Sequence, residues 1–172
     1  MNKGFTLIEM VMSVAVFTVV ALVAAGALLA VADANRKAQA FKSVVNNINF
    51  ALESVARNLR TGSAYSTASF FNGNCASGYT DGIKFTSQAG VSTEYFLQGT
   101  QIVRRVGSGS AVGVTAPEVS VSRFCFLLQG EAVGDDKQPN ALMLVGGIMR
   151  AGQKLESRFD IQTFITQRLI DS

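Results

Sequence analysis

The chain has 172 residues, a formal net charge of +3 and only 16% charged residues. It contains no histidine, so Ser-His-Asp and Cys-His catalysis is excluded and the commonest transition-metal ligand is missing. No GxxxxGK[ST] loop points to a nucleotide, and the small positive charge is too weak to argue for nucleic acid.

The first predicted element is an apolar helix. From Phe5 the sequence carries one charge, Glu9, and no other until Asp33. Met10–Ala32 is uncharged and free of proline. At ~1.5 Å per residue such a helix spans roughly 35 Å, enough to cross a bilayer with some tilt. A buried core helix is the plain alternative, but a helix apolar all round and this long rarely fits inside a small domain. A secretory signal peptide is the other, with Ala30-Val31-Ala32 as a loose cleavage site. Lys3 and the initiator amine favour an N-in, C-out orientation, against which Arg36 and Lys37 weigh.

Glu9 is the costly residue. A carboxylate at the centre of a membrane helix is disfavoured by roughly 2.5–3.5 kcal/mol on insertion scales, so it calls for a positive partner. Cleavage between Gly4 and Phe5 would supply one. The new amine at Phe5 would lie four residues before Glu9, on the same helical face and at the positive end of the helix dipole. The carboxylate then pairs with its own amine or with that of a neighbouring subunit, and in the second case the pair sets the axial register between helices.

The helix is expected to continue beyond the membrane. Phe41, Val44, Val45, Ile48, Leu52, Val55 and Leu59 recur at three- and four-residue spacing, with Lys42, Asn46, Asn49, Glu53, Arg57 and Arg60 on the opposite face. Gly62 is the expected C-cap. Residues 63–79, rich in Ser, Ala, Gly and Asn, read as loop. Strands are expected over 83–86, 93–97, 102–106 and 119–128. Further strands, 142–145 and 148–150, flank Gly146-Gly147, read as a bulge or bend, and 155–166 closes the chain. Short turns favour an antiparallel meander, giving an α+β fold.

Cys75 falls in the predicted loop and Cys125 on a strand. If the domain is exported, one disulfide between them would close a loop of about 50 residues and contribute roughly 4 kcal/mol in the chain-entropy model; two buried thiols are the alternative. Two cysteines without histidine are too few for a zinc site. Gly107-Ser108-Gly109-Ser110 reads as a flexible turn. Asp135-Asp136 offers far fewer than the 6–8 oxygens calcium needs, so no metal or other cofactor is expected. Arg104, Arg105, Arg123, Arg150, Lys154 and Arg158 fall on or beside strands. Alternation points Arg104 and Arg105 to opposite faces, which argues against a single DNA-binding patch.

Gly4-Phe5-Thr6-Leu7-Ile8-Glu9, with the leader charge before it and the spanning run after it, resembles the type IV prepilin signal. That signal is shared by type IV pilins, minor pilins and type II secretion pseudopilins. The resemblance implies cleavage after Gly4 by prepilin peptidase, N-methylation of Phe5, and Glu9 as the assembly carboxylate. It divides the chain into a leader (1–4), a transmembrane and filament-core helix (5–32), its amphipathic continuation (33–62) and an extracytoplasmic β-rich domain (63–172). It implies a pilin-like fold with a long N-terminal helix on an antiparallel sheet, and a structural subunit rather than an enzyme. The implied partners are the peptidase, other pilins or pseudopilins and an inner-membrane assembly machinery. The location is the cytoplasmic membrane, then a pilus or pseudopilus in the periplasm or outside the cell. Many major pilins carry a proline midway along the apolar helix, which this chain lacks; the long helix and the size of the sheet most resemble minor pilins or J-type pseudopilins. A pilin-like adhesin or DNA receptor on the same anchor, and an anchored domain that never polymerises, are the rival expectations.

Overall fold

The computed structural model describes residues 4–68, 75–132, 137–151 and 155–168. Lys3, Asp135, Asp136 and Lys154, which bear on orientation, calcium and the basic residues above, lie outside them. The chain divides into two units, Met1–Gln39 and Ala40–Ser172. Helix α1 (Leu7–Thr61) contributes to both.

In the first unit every described side chain from Gly4 to Gln39 is exposed. The helix there includes an 18-residue window of mean hydropathy 2.7, none of it buried. Its only hydroxyl groups between Met10 and Ala32 belong to Ser13 and Thr18. Each donates back to a main-chain carbonyl one turn earlier, Ser13 Oγ to Glu9 O and Thr18 Oγ1 to Val14 O, both at 2.7 Å. This leaves the helix wall without an unbonded hydroxyl proton, as a hydrocarbon environment demands.

The second unit holds the rest of α1 and eight described strands. Here the helix has a polar side and an apolar side, and the apolar side is inside. Val44, Ile48, Ala51, Leu52, Val55, Ala56 and Leu59 are buried, while Phe41 and Val45 pack at the rim. Lys42, Asn46, Asn49, Glu53, Arg57 and Arg60 are exposed, as the spacing predicts.

Two antiparallel sheets meet this stripe, where the sequence suggested one meander. The first has the order β1 (Ser63–Thr67), β2 (Gly82–Thr86), β3 (Ser92–Gln98), β4 (Gln101–Val106) and β5 (Val112–Gly113). The second has β6 (Val119–Gln129), β7 (Asn140–Ala151) and β8 (Leu155–Thr166). Each is a meander, strand next to strand in chain order. One core serves all three layers: the helix stripe, Ile83, Phe85, Tyr95 and Ile102 from the first sheet, and Val121, Phe124, Phe126, Met143, Val145 and Ile165 from the second. Phe85 and Tyr95 lie parallel with centroids 6.0 Å apart, and Phe124 meets Phe126 edge to face at 4.8 Å. Buried side chains of this size each contribute about 1.5–3 kcal/mol. Two polar side chains of the helix are matched at the core margin. Asn58 Nδ2 donates to the Tyr95 hydroxyl at 2.6 Å, and Ala116 N donates to Asn47 Oδ1 at 3.0 Å.

Three expectations are corrected. Residues 63–67 form a strand rather than loop, paired with β2; only Tyr65 of that strand is buried, and its hydroxyl donates to Leu59 O. Gly62 follows the helix as expected but is not the left-handed cap. The positive φ falls at Ala64 (53°). Glycine is needed at 62 for space, because a Cβ there would overlap the Phe85 ring. At Gly146-Gly147 the irregularity belongs to the neighbouring strand. β7 pairs residue for residue with β8 through both glycines, whereas β6 inserts an extra residue between Val121 and Arg123. A Cβ at Gly147 would meet Ser120 O and, at 3.0 Å, the Phe159 ring; one at Gly146 would meet Asp160 Oδ1 at 2.5 Å. The glycines therefore give room for the bulge and for the side chains that cross them.

Candidate functional site

The N-terminal residues form a closed hydrogen-bonded turn. Thr6 is the residue before the helix, and Glu9 is its third position. Thr6 N donates to Glu9 Oε2 at 2.9 Å and Thr6 Oγ1 donates to the same oxygen at 2.8 Å. In return Glu9 N points at Thr6 Oγ1 at 3.4 Å and donates to Thr6 O at 3.1 Å. This is a reciprocal capping box: each side chain satisfies a main-chain N–H that the first turn of a helix leaves without a partner. The sequence carried this signal as Thr-x-x-Glu at positions 6–9, and reading Glu9 only as a charge missed Thr6.

The capping box changes what Glu9 does in the intact chain. Its carboxylate is held against the helix start by two donors from one residue. Among the described residues no basic side chain pairs with it. Phe5 and Gly4 lie just outside the helix and are exposed, so the Gly4–Phe5 peptide bond sits on exposed, non-helical chain immediately before the cap. A Cβ at Gly4 would meet nothing within 4 Å; the glycine is not required by the packing of this chain.

The other predicted pair is joined. Cys75 and Cys125 form a disulfide with Cα atoms 5.7 Å apart. Cys125 is buried on β6, and Cys75 lies ahead of β2. Close by, Thr80 and Phe126 exchange two main-chain hydrogen bonds of 2.8 Å. Disulfide and bridge together fasten the segment that leads into the first sheet onto the second sheet.

The basic residues do not form one patch. Arg104 faces away from Arg105, opposite Tyr95 where Arg105 is opposite Glu94. Arg105 pairs with Glu94 and lies 5.2 Å from the centroid of the Phe96 ring, a cation–π arrangement. Arg123 pairs with Asp160 at 2.5 Å and Arg150 with Glu156 at 2.8 Å. Among the described residues no group of three or more metal-ligating side chains occurs.

Residues 1–25 match the family model described as the prokaryotic N-terminal methylation motif. That match supports a type IV prepilin-like protein. No curated protein and no solved structure matches the chain. The motif indicates a structural subunit rather than an enzyme family, and with the exposed apolar helix it indicates membrane anchoring.

Proposed function

We propose that this protein is a minor pilin or pseudopilin, cut by prepilin peptidase after Gly4, methylated on Phe5 and assembled through its apolar helix into a type IV pilus or type II secretion pseudopilus. The observation that carries the reading is the capping box at the head of a wholly exposed apolar helix, inside the segment matched by the methylation motif. Exposed side chains such as Phe17, Leu22 and Leu28 need a covering of lipid or of other helices.

Cleavage frees an α-amine one residue before Thr6. Glu9, already held at the first turn, then has a cation within reach of its own chain or a neighbouring one. Its desolvated charge is neutralised best where helices are in register, so the pair acts as a stop that fixes axial position. Residues 1–4 are the leader, 5–32 the membrane and filament-core segment and 33–62 its continuation, with residues 63–172 placed beyond the cytoplasmic membrane. The partners are the peptidase, other pilin-like subunits and the assembly machinery in the inner membrane.

N-terminal mass spectrometry of membrane-extracted protein tests this. The expected terminus is a methylated Phe5, and Gly4→Val is expected to leave the full leader attached. A mature protein that retains Met1, or a Gly4→Val variant still cut before Phe5, overturns the reading.

A further inference from the structure

A second site lies in the folded unit, far along the sequence from Glu9. Helix positions Glu53, Arg57, Arg60 and Thr61 form one wall of a groove of about 440 Å³, and Gln138, Thr166, Gln167 and Arg168 form the other. The walls are tied together by the main chain, Arg168 N donating to Arg60 O at 2.9 Å, and the second wall is held to itself by Gln167 N donating to Pro139 O at 2.9 Å. Gln138 Nε2 adds a bond of 2.6 Å to Gln167 O. The corner is therefore fixed by two main-chain bonds and the Gln138 side chain, with none of its arginine side chains involved.

Its charge is unbalanced. Among the described residues three guanidinium groups border the groove against one carboxylate, Glu53, which stands 4.0 Å from Arg57 with both side chains largely exposed. Neither Arg60 nor Arg168 forms an ion pair among the described residues. Elsewhere in this unit Arg105, Arg123 and Arg150 each have a carboxylate. The main-chain bond keeps Arg60 and Arg168 adjacent, so an anion between their exposed side chains would interact favourably with both charges. Guanidinium groups arriving from two walls present forked N–H donors to more than one side of a ligand. That arrangement suits a tetrahedral oxyanion, whose oxygens point in several directions.

We propose that this groove binds a phosphate group, with Arg60 and Arg168 as its principal donors and Arg57 released from Glu53 to join them. The proposal is independent of filament assembly.

The test is calorimetric titration of inorganic phosphate into the full-length protein in neutral-detergent micelles, at constant ionic strength set with sodium chloride. Saturable binding with one phosphate per chain is expected. Arg60→Gln and Arg168→Gln are each expected to weaken it roughly tenfold, as loss of a charge-assisted hydrogen bond implies. Arg158→Gln, on β8 and outside the groove, is expected to leave it unchanged. Thermal unfolding of each variant verifies that these exposed substitutions leave the fold intact. A second titration uses nanodiscs of phosphatidylcholine with or without phosphatidic acid. Competition by phosphatidic acid identifies a lipid phosphomonoester as the source, and unchanged phosphate binding identifies a free phosphate group. Heat that does not saturate, or equal affinity in wild type and the Arg60→Gln/Arg168→Gln double variant, overturns the proposal.

Discussion

Residues 7–39 and 40–61 belong to one helix, yet their apolar side chains meet opposite fates. In the first stretch Leu, Val and Phe surround the helix on all sides and all are exposed; in the second all but Phe50 are confined to a stripe, and the stripe is buried or lies at the rim of the core. Hydrophobicity alone does not separate the two. What separates them is the polar complement: Lys42, Asn46, Asn49, Glu53 and Arg57 give the second stretch a wet side and thereby a dry one, whereas residues 10–32 of the first carry no charge and have no side to offer water. The first stretch is built for an environment outside the chain, the second for the chain's own sheets.

The largest effect expected in the first stretch concerns assembly, not stability. Glu9→Ala is expected to be cleaved normally and to be lost from filaments, while thermal unfolding of the folded unit stays unchanged. Quantitative immunoblotting of sheared filaments is the check, and wild-type occupancy would remove Glu9 from the register mechanism. Thr6→Val separates the two roles of the capping box. It removes the hydroxyl that donates to Glu9 Oε2 at 2.8 Å and keeps the main-chain donor at 2.9 Å, so a partial loss of occupancy is expected, smaller than that of Glu9→Ala.

In the second stretch the same kind of change becomes a stability effect. Leu59→Ala and Ile48→Ala empty positions that are fully enclosed and are expected to cost about 2–5 kcal/mol, whereas Leu22→Ala in the exposed stretch leaves the unfolding midpoint of the folded unit where it was. Equal midpoints for Leu59→Ala and Leu22→Ala would break the comparison between the two halves of the helix. Removing the disulfide with Cys75→Ser/Cys125→Ser is expected to cost about 2–5 kcal/mol, measured by denaturant unfolding against the oxidised wild type.

Most of the helix and the central strands were legible because their signal is local. The three- and four-residue spacing marks the buried stripe, strand-like runs between glycine-containing turns mark β3 and β4, and alternation marks β8. Two strands escaped because they have almost no inward side. β1 buries Tyr65 alone, and β5 is the exposed pair Val112–Gly113, held by its pairing with Val103 and Arg104 on β4. Pairing of that kind depends on a partner's backbone and leaves little trace in side-chain pattern. Gly62 and Gly146-Gly147 show a related limit. Glycine announces that something unusual happens, but whether it serves a left-handed turn or clearance for Phe85 and Phe159 depends on residues distant in sequence. At the candidate site, Gly4, Phe5 and Glu9 stood out through their order along the chain, while the groove at Arg60 and Arg168 is assembled from positions 108 residues apart (168 − 60) and has no sequence signature.

The smallest expected effects come from the surface of the folded unit, and they show where the helix comparison stops. Phe50 lies on the outward side of the second stretch and is 77% exposed, an apolar residue where the stripe rule calls for a polar one. If burial decides stability, Phe50→Ser is expected to change the unfolding free energy by no more than about 0.5 kcal/mol, in contrast to its neighbour Leu52→Ala at about 2–5 kcal/mol. The exposed pair Arg150–Glu156, at 2.8 Å with both side chains more than half exposed, is expected to contribute about 0–1 kcal/mol and to lose that in high salt. A double-mutant cycle with Arg150→Ala and Glu156→Ala reads the coupling directly. A coupling well above 1 kcal/mol that survives 1 M sodium chloride would mean that this end of the second sheet is shielded from water, and the folded unit would then have a dry surface beyond the one its helix covers.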